Sequence, residues 1–146
     1  MALSPDSPDR PYAAAIERLR AVDLRPTRQR LALCRRLFEG GDRHVTAETL
    51  HGEVVAQGLK VSLATVYNTL HQFTTAGLLR EVVVDGAKTY FDTNITSHHH
   101  FYDVDGGSLT DIPGEGIAVE GLPHAPQGLE IDRIDVVIRL RRRPKA

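Results

Sequence analysis

The chain has 146 residues and a mass of 16.1 kDa, which is enough for one ordinary domain or two very small ones. Its 18 Lys and Arg and 19 Asp and Glu nearly cancel, so bulk charge does not indicate a nucleic-acid-binding protein and any basic surface is local. The single cysteine, Cys34, excludes an internal disulfide and any zinc site built from several thiolates of one chain. Seven histidines, three of them consecutive, are the main supply of metal ligands.

The ends and the hydropathy of the chain favour a cytoplasmic protein with no membrane partner. No apolar run approaches the roughly 20 residues that a membrane span needs. The amino terminus lacks the basic start and the apolar stretch of a signal peptide. Residues 1–11 are rich in Pro, Ser and Asp, so we expect them to form a flexible arm.

Apolar residues at helical spacing predict four helices in the first half of the chain. Their predicted spans are Tyr12–Val22, a helix that begins at Pro26-Thr27-Arg28 and ends at Gly40-Gly41, one between Thr46 and Gly58, and one between Ser62 and Gly77. Thr46 and Ser62 are good N-caps, and a glycine at the end of a helix is a common stop. The predicted buried positions are Ile16, Leu19, Leu31, Cys34, Leu37, Phe38, Ala47, Leu50, Val54, Leu63, Val66, Leu70 and Phe73. Because Cys34 lies on the apolar stripe of the second predicted helix, we expect it to be a core residue rather than a reactive thiol.

The apolar period changes from 3.6 to 2 after the fourth predicted helix. Leu79–Val84 and Ala87–Asp92 are predicted strands, and the Asp85-Gly86 pair between them is a strong hairpin signal. Helices followed by a hairpin give the order of a winged helix-turn-helix, which we assign to residues 12–92. The short polar segment 93–97 is a candidate hinge.

The remaining residues, 98–146, predict a small second domain. The predicted elements are a hairpin of His98–Val104 and Ser108–Ile112 around Asp105-Gly106-Gly107, a loop over 113–128, and a last strand Leu129–Leu140 with Ile134, Val136, Ile138 and Leu140 on one face. A domain of about 50 residues is too small to bury a good hydrophobic core by itself, so we expect a second copy of the chain to cover that face. The predicted fold class is therefore α+β, in a homodimer.

A basic segment coincides with the first two predicted helices. From Arg10 to Arg43 there are nine arginines against four acidic residues, a local balance of +5. Arginines beside a helix-turn-helix suit phosphate contacts, and we take Arg28 and Arg30 as candidates. The alternative is an ordinary solvated helix face.

One face of the fourth predicted helix carries short, uncharged hydrogen-bonding side chains. They are Thr65, Asn68, Thr69 and Gln72, with Tyr67 at the border. Such groups donate and accept at base edges in a major groove. The candidate base contacts are Ser62, Thr65, Tyr67 and Asn68. The alternative is that Ser62 and Thr65 only cap and pack the helix.

A second constellation combines imidazoles and carboxylates. The candidate metal ligands are His44, Asp92, His98, His100 and Asp111. Residues i and i+2 of a strand share a face, so His98 and His100 are placed together while His99 points away. The set suits Fe(II), Mn(II) or Zn(II) and is too hard for Cu(I). The alternatives are an adventitious surface cluster and the open site of a metal-dependent enzyme.

Several separate motifs resemble the ferric uptake regulator family. They are Leu24-Arg25-Pro26-Thr27-Arg28-Gln29-Arg30, His44-Val45-Thr46-Ala47-Glu48, the segment from Val61 to Leu70, Tyr90-Phe91-Asp92 and the histidine cluster. The resemblance implies a dimeric, metal-responsive winged-helix repressor that binds double-stranded operator DNA and has a C-terminal α/β dimerisation domain. It also implies that the five candidate ligands form one regulatory site bridging the two domains, so that bound metal selects a DNA-competent arrangement.

Two positions depart from the family pattern. The segment after the histidines, 101–107, lacks the family's Cys-x-x-Cys motif, so no structural four-cysteine zinc is expected. Asn68 replaces the arginine that commonly follows the tyrosine of the recognition helix.

Four segments are similar to one branch of the family, the iron response regulators (Irr). They cover residues 66–73, 98–102, 122–131 and 136–141. The resemblance implies control by haem in iron homeostasis, and a haem-delivering protein as a further partner. The Cys-Pro motif of some members is absent, because Arg35 follows Cys34, so haem would bind at His98, His99 or His100. The alternatives are an ordinary Fe(II)- or Mn(II)-dependent repressor and a peroxide sensor without a haem response.

Overall fold

The computed structural model describes residues 10–85, 88–113 and 116–144, and it divides into two compact units between Ile95 and Thr96. The elements are α1 (Ala13–Ala21), α2 (Arg28–Phe38), β1 (His44–Val45), α3 (Ala47–Ala56), α4 (Leu63–Thr75), β2 (Arg80–Asp85), β3 (Lys88–Asp92), β4 (His100–Asp103), β5 (Ser108–Asp111) and β6 (Val137–Leu140). The described part of the second unit, 96–113 and 116–144, contains strands and no helix. Among the described residues no helix has the length and apolarity of a membrane span. Residues 1–9 of the predicted arm lie outside the described residues.

Side-chain caps start three of the four described helices. The hydroxyl of Thr27 accepts from the N–H of Arg30 at 3.2 Å, and Thr46 and Ser62 cap α3 and α4 in the same way. Each cap satisfies a backbone donor that has no partner within the helix. The glycine that follows α4, Gly77, has φ +89°, a left-handed conformation that glycine adopts without strain. The predicted caps of α3 and α4 are confirmed.

The core of the first unit lies where the helical stripes meet the first sheet. Its fully enclosed side chains include Leu19, Leu33, Cys34, Leu37, Leu50, Val54, Val66, Leu70, Phe73 and Phe91. The core role of Cys34 is confirmed. Two predictions for α4 are wrong: Leu63 at its first position is 40% exposed, and Thr69 is buried. Thr69 fits the interior because its hydroxyl donates to the carbonyl of Thr65 at 2.8 Å, which satisfies the buried group.

The first sheet has the order β1-β3-β2 and is antiparallel throughout. The two-residue strand β1 was not predicted, because a pair of residues shows no alternation. Asp85 belongs to β2, where it pairs with Lys88, and not to the turn as predicted. Gly86, the other predicted turn residue, lies outside the described residues.

The second sheet has the order β5-β4-β6, with β4 antiparallel to β5 and parallel to β6. The predicted β4–β5 hairpin is confirmed. The last strand covers Val137–Leu140 rather than Leu129–Leu140. The alternation of apolar and polar residues begins before Val137. Backbone pairing with β4, however, begins only where the N–H of His100 donates to the carbonyl of Val136, at 3.1 Å. A strand needs a neighbour for its backbone groups, and alternation alone does not provide one.

Candidate metal ligands and nucleic-acid interface

The first sheet brings an imidazole and a carboxylate together in the first unit. His44 on β1 pairs with Asp92 on β3, and the Nε2 of His44 lies 3.1 Å from an Asp92 carboxylate oxygen. The Asp92 side chain is buried, and its other oxygen accepts from the N–H of Asn94 at 2.9 Å. Register and a local hydrogen bond therefore fix both groups.

The second sheet collects three candidate ligands in the second unit. His100 is opposite Asp111 in the β4–β5 ladder, and His98 precedes His100 by two residues. The Nε2 atoms of both histidines lie 3.3 Å from the same Asp111 oxygen, Oδ1. His99 faces elsewhere, since its Nδ1 accepts from the N–H of Val136 at 3.2 Å. The alternation expected for the triple histidine is therefore present.

The ring orientation of His98 is defined by a contact at Nδ1. Its Nδ1 lies 2.6 Å from the carbonyl oxygen of Thr96, and a carbonyl oxygen can only accept. Nδ1 therefore carries the proton, and the neutral ring has its lone pair on Nε2, the atom that faces Asp111. A lone pair and a carboxylate attract each other only through a proton or a metal ion between them. A backbone carbonyl behind the ring is also the usual support of a metal-binding histidine.

Within each unit, the atom separations fit neighbouring ligands of one ion. Two ligand atoms that each lie about 2.1 Å from an ion, at an angle of about 90–110°, are about 3.0–3.4 Å apart. The His44–Asp92 separation of 3.1 Å and the two 3.3 Å separations to Asp111 fall in this range. Within the second unit all three ligand atoms lie within 4.8 Å of one another. Nitrogen and carboxylate donors suit Fe(II), Mn(II) or Zn(II).

The polar face of α4 differs in part from the prediction, because several of its side chains form hydrogen bonds within the chain. Tyr67, Asn68 and Ser62 are exposed, but the hydroxyl of Ser62 is engaged with Thr65, which is only partly exposed. The hydroxyl of Ser62 accepts from the N–H of Thr65 and donates to its hydroxyl at 2.9 Å. Gln72 also has an intramolecular role, because its side-chain oxygen accepts from Arg30 at 3.1 Å. Tyr67 and Asn68 are thus the candidates best presented to a partner.

Two buried or half-buried rings hold Tyr67. Its ring packs edge-on against His71, with centroids 4.6 Å apart, and lies 6.3 Å from Phe91 on β3. Tyr67 also lines a groove with Thr46 at the start of α3 and Lys88 at the start of β3. The tyrosine therefore lies between the start of α3 and the hairpin strand β3.

Many arginines of the basic segment have partners inside the first unit. Arg30 donates to the carbonyl of Arg25 and to Gln72, so this candidate phosphate contact also ties α2 to α4. The guanidinium of Arg18 lies 4.2 Å from the ring centre of Phe38. Arg28, in contrast, is exposed at the first position of α2. The basic segment is in part a set of packing contacts, which its composition did not reveal.

The first unit also contains an ion-pair cluster that the sequence did not reveal. The carboxylate of Glu53 on α3 accepts two hydrogen bonds from Arg43, at 2.8 and 2.9 Å, and one from Arg36 on α2 at 3.0 Å. The hydrogen bond from Arg43 and that from Arg36 hold the pKa of Glu53 below its ordinary value of 4.5, against the opposing effect of burial. The spacing of these three residues along the chain does not predict the cluster.

The first unit is a winged helix-turn-helix, and each unit contributes imidazole and carboxylate groups suited to a transition metal. These features define the class of metal-responsive DNA-binding regulators. The chain belongs to the ferric uptake regulator family, whose model matches residues 21–138. Members of this family are transcription regulators that bind DNA and form dimers, not enzymes, so the enzyme alternative is wrong.

Individual relatives agree with the family model. The chain is 32% identical over 115 residues to the ferric uptake regulation protein of Shigella flexneri, covering 77% of this chain and 78% of that protein. It is 30% identical over 125 residues to the transcriptional regulator FurA of Mycobacterium bovis, covering 83% and 82%. Its structure resembles the ferric uptake regulator of Pseudomonas aeruginosa with manganese, with a TM-score of 0.66, 25% identity and coverage of 89% and 98%.

Proposed function

We propose that a divalent ion, Fe(II), Mn(II) or Zn(II), controls operator binding by a dimer of this chain. The proposed ligands are His44, Asp92, His98, His100 and Asp111. The observation that carries the proposal is the approach of two imidazole nitrogens to one carboxylate oxygen at 3.3 Å each, since that arrangement suits a bound cation. The similar Pseudomonas aeruginosa protein, which was solved with manganese, supports the choice of metal.

A single ion shared by both sets of ligands would act on DNA binding through domain arrangement. In this proposal residues 12–92 form the DNA-binding domain, 93–97 the hinge and 98–146 the dimerisation and sensing domain. Two ligands precede the hinge and three follow it, so an ion held by all five binds most tightly when the domains adopt one arrangement. If that arrangement also fits the operator, metal and DNA strengthen each other's binding.

Metal-dependent operator binding tests this proposal. Operator affinity is measured on one preparation in apo, Mn(II) and Fe(II) states at a fixed salt concentration, because salt alone changes such affinities strongly. Asp111→Ala is expected to abolish the increase that metal produces. His124→Ala, which changes an exposed histidine of the loop, is the matched control and should respond as the wild type. Equal operator affinity in the apo and metal-bound states would contradict the proposal.

DNA recognition is proposed to use the exposed part of α4. Tyr67 and Asn68 would read base edges in the major groove of the operator, with Ser62 and Thr65 at the start of the helix close to the backbone. Arg28 and Arg30 would contact phosphates. The exposure of Tyr67 and Asn68 supports this assignment.

Haem is the second candidate signal, and the resemblance to the iron response regulators together with the triple histidine supports it. In this second proposal, haem would bind through an imidazole and weaken operator binding. His100 is buried, while His98 and His99 are partly exposed, so one of the latter two is the expected axial ligand. A haem-delivering protein would be the partner that supplies it.

Single substitutions identify the haem ligand. Haem is added to the operator complex of wild type, His98→Ala, His99→Ala and His100→Ala, and both the Soret band and DNA release are recorded. Loss of both the Soret band and DNA release in His98→Ala or in His99→Ala supports haem sensing. An unchanged response in a variant lacking all three histidines would exclude them as the haem site. For the peroxide alternative, mass spectrometry after peroxide treatment of the Fe(II) form would show an oxidised ligand histidine.

A further inference from the structure

Besides its pairing with β3, the segment that carries His44 is tied to the rest of the first unit through Arg43. The strand β1 has only two residues, so it contributes few backbone hydrogen bonds of its own. Arg43 precedes it, and its N–H donates to the hydroxyl of Thr93 at 2.8 Å. The N–H of Thr93 in turn donates to the carbonyl of Arg43 at 3.0 Å. Thr93 directly follows Asp92, so this reciprocal pair joins the backbone beside both candidate ligands of the first unit.

The side chain of Arg43 fixes the same point to the helices. Its guanidinium forms a two-point ion pair with the Glu53 carboxylate on α3, at 2.8 and 2.9 Å. Glu53 also pairs with Arg36 on α2 at 3.0 Å. Both members of the Arg43–Glu53 pair are about three-quarters shielded from solvent, and a two-point geometry is the stronger form of such a pair. The guanidinium and the backbone of Arg43 are thus held by different elements.

We propose that Arg43 and Glu53 are positioning residues for the metal ligands His44 and Asp92. The ion pair holds Arg43 against α3, and its backbone bonds hold β1 against the end of β3, so the imidazole and the carboxylate stay at ligand separation. Metal binding then needs little rearrangement of this pair. The inference rests on the proposed function, because it presumes that these two residues bind the ion.

Arg36 provides a matched control within the same cluster. Arg36→Gln and Arg43→Gln each remove one arginine that bonds to Glu53, but only Arg43 adjoins a candidate ligand. Mn(II) affinity is measured from the electron paramagnetic resonance signal of free Mn(II), with thermal unfolding of each apo protein recorded in parallel. Arg43→Gln and Glu53→Gln are each expected to weaken Mn(II) binding about tenfold, as loss of an outer partner of a metal ligand does. Arg36→Gln should stay within about twofold of wild type.

A double-mutant cycle with His44→Ala separates positioning from general stability. Because Glu53 is proposed to hold His44 at ligand separation from Asp92, Glu53→Gln should have less than about a twofold effect on Mn(II) affinity in the His44→Ala background, where that pair no longer exists. A tenfold effect in both backgrounds, wild-type affinity in Arg43→Gln, or equal losses in Arg36→Gln and Arg43→Gln would each overturn the inference. If Glu53→Gln fails to fold, the comparison of Arg43→Gln with Arg36→Gln still tests the inference. Wild-type Mn(II) affinity in His44→Ala alone would instead contradict the proposed ligand set.

Discussion

On α4, the side chains that cap the helix differ from the exposed side chain that is proposed to read bases. Ser62 is a candidate DNA contact by position, yet its hydroxyl caps α4 through the N–H of Thr65 at 3.1 Å. Thr65 shares that cap through its own hydroxyl. Asn68, nearer the centre of α4, is exposed. Capping and the proposed recognition of bases on α4 therefore involve different side chains.

A matched pair of substitutions separates those two roles. Ser62→Ala is expected to lower the free energy of unfolding by about 1 kcal/mol, the usual contribution of an N-cap. Asn68→Ala should change it by less than about 0.5 kcal/mol, as surface substitutions do. The same Asn68→Ala change should cost about 1–3 kcal/mol of discrimination at one base pair of the operator. Denaturant unfolding and competition binding with single-base operator variants measure the two effects, and a wild-type base preference in Asn68→Ala would exclude it as a reader.

At the scale of elements, the helices of the first unit are joined by charged groups as well as by the apolar core. Glu53 on α3 bonds to Arg36 on α2 and to Arg43 just before β1. These hydrogen bonds keep the pKa of Glu53 below its ordinary value of 4.5. They also raise the pKa of Arg36, mainly through the bond to Glu53. The cluster therefore contributes to stability only while Glu53 is ionised.

The stability contributed by Glu53 is expected to depend on pH with a defined sign. Because its pKa is lower in the folded than in the unfolded chain, the contribution is complete above the unfolded value and is lost as pH falls below about 4.5 toward the folded value. At pH 7, Glu53→Gln should lower the free energy of unfolding by about 1 kcal/mol, given the partial exposure of the pair. Urea unfolding of both proteins from pH 7 to pH 3 measures the difference, which should shrink in acid. A difference that does not change with pH would contradict this account.

At the scale of the whole molecule, the described part of the second unit exposes apolar side chains on β6. Within its described residues β6 has a neighbour only on the β4 side, and Ile138 and Leu140 are 37% and 43% exposed. The unit is small, and the described part of it contains no helix to cover these side chains. Since members of the family form dimers, this strand is where we expect a second copy to pack.

A charge on that strand tests the expectation. Ile138→Glu should shift the dimer toward monomers, because an unpaired carboxylate would be buried in the interface. Operator affinity should fall with it, since a dimer binds two half-sites. Val83→Glu, an exposed apolar residue on β2, is the control for oligomeric state. Sedimentation velocity reports the result, and an unchanged dimer in Ile138→Glu would place the interface elsewhere.

Local signals in the sequence were sufficient for the helices of the first unit and for the β4–β5 hairpin. Caps, glycine stops and apolar stripes act within a few residues, so Thr46, Gly58 and the stripe of Leu50 and Val54 could be assigned from neighbours alone. The alternation around His98 and His100 is equally local. The candidate ligands could be proposed because three consecutive histidines near carboxylates are chemically distinctive.

Only the tertiary structure decided which groups have partners from distant parts of the chain. The strand β1 exists because His44 and Val45 pair with β3. The last strand is short because its pairing with β4 begins at Val136. Three arginines form hydrogen bonds to residues that are distant in the sequence: Arg30, Arg36 and Arg43. The near-zero net charge thus conceals two proposed uses of arginine, one in the DNA surface and one in holding the segment of the candidate ligand His44. The sequence by itself determined the helix-turn-helix, the hairpins and the chemistry of the ligands, because these follow from local spacing and side-chain type. Strand pairing and ion pairs depend on contacts between distant segments, and no local pattern records them.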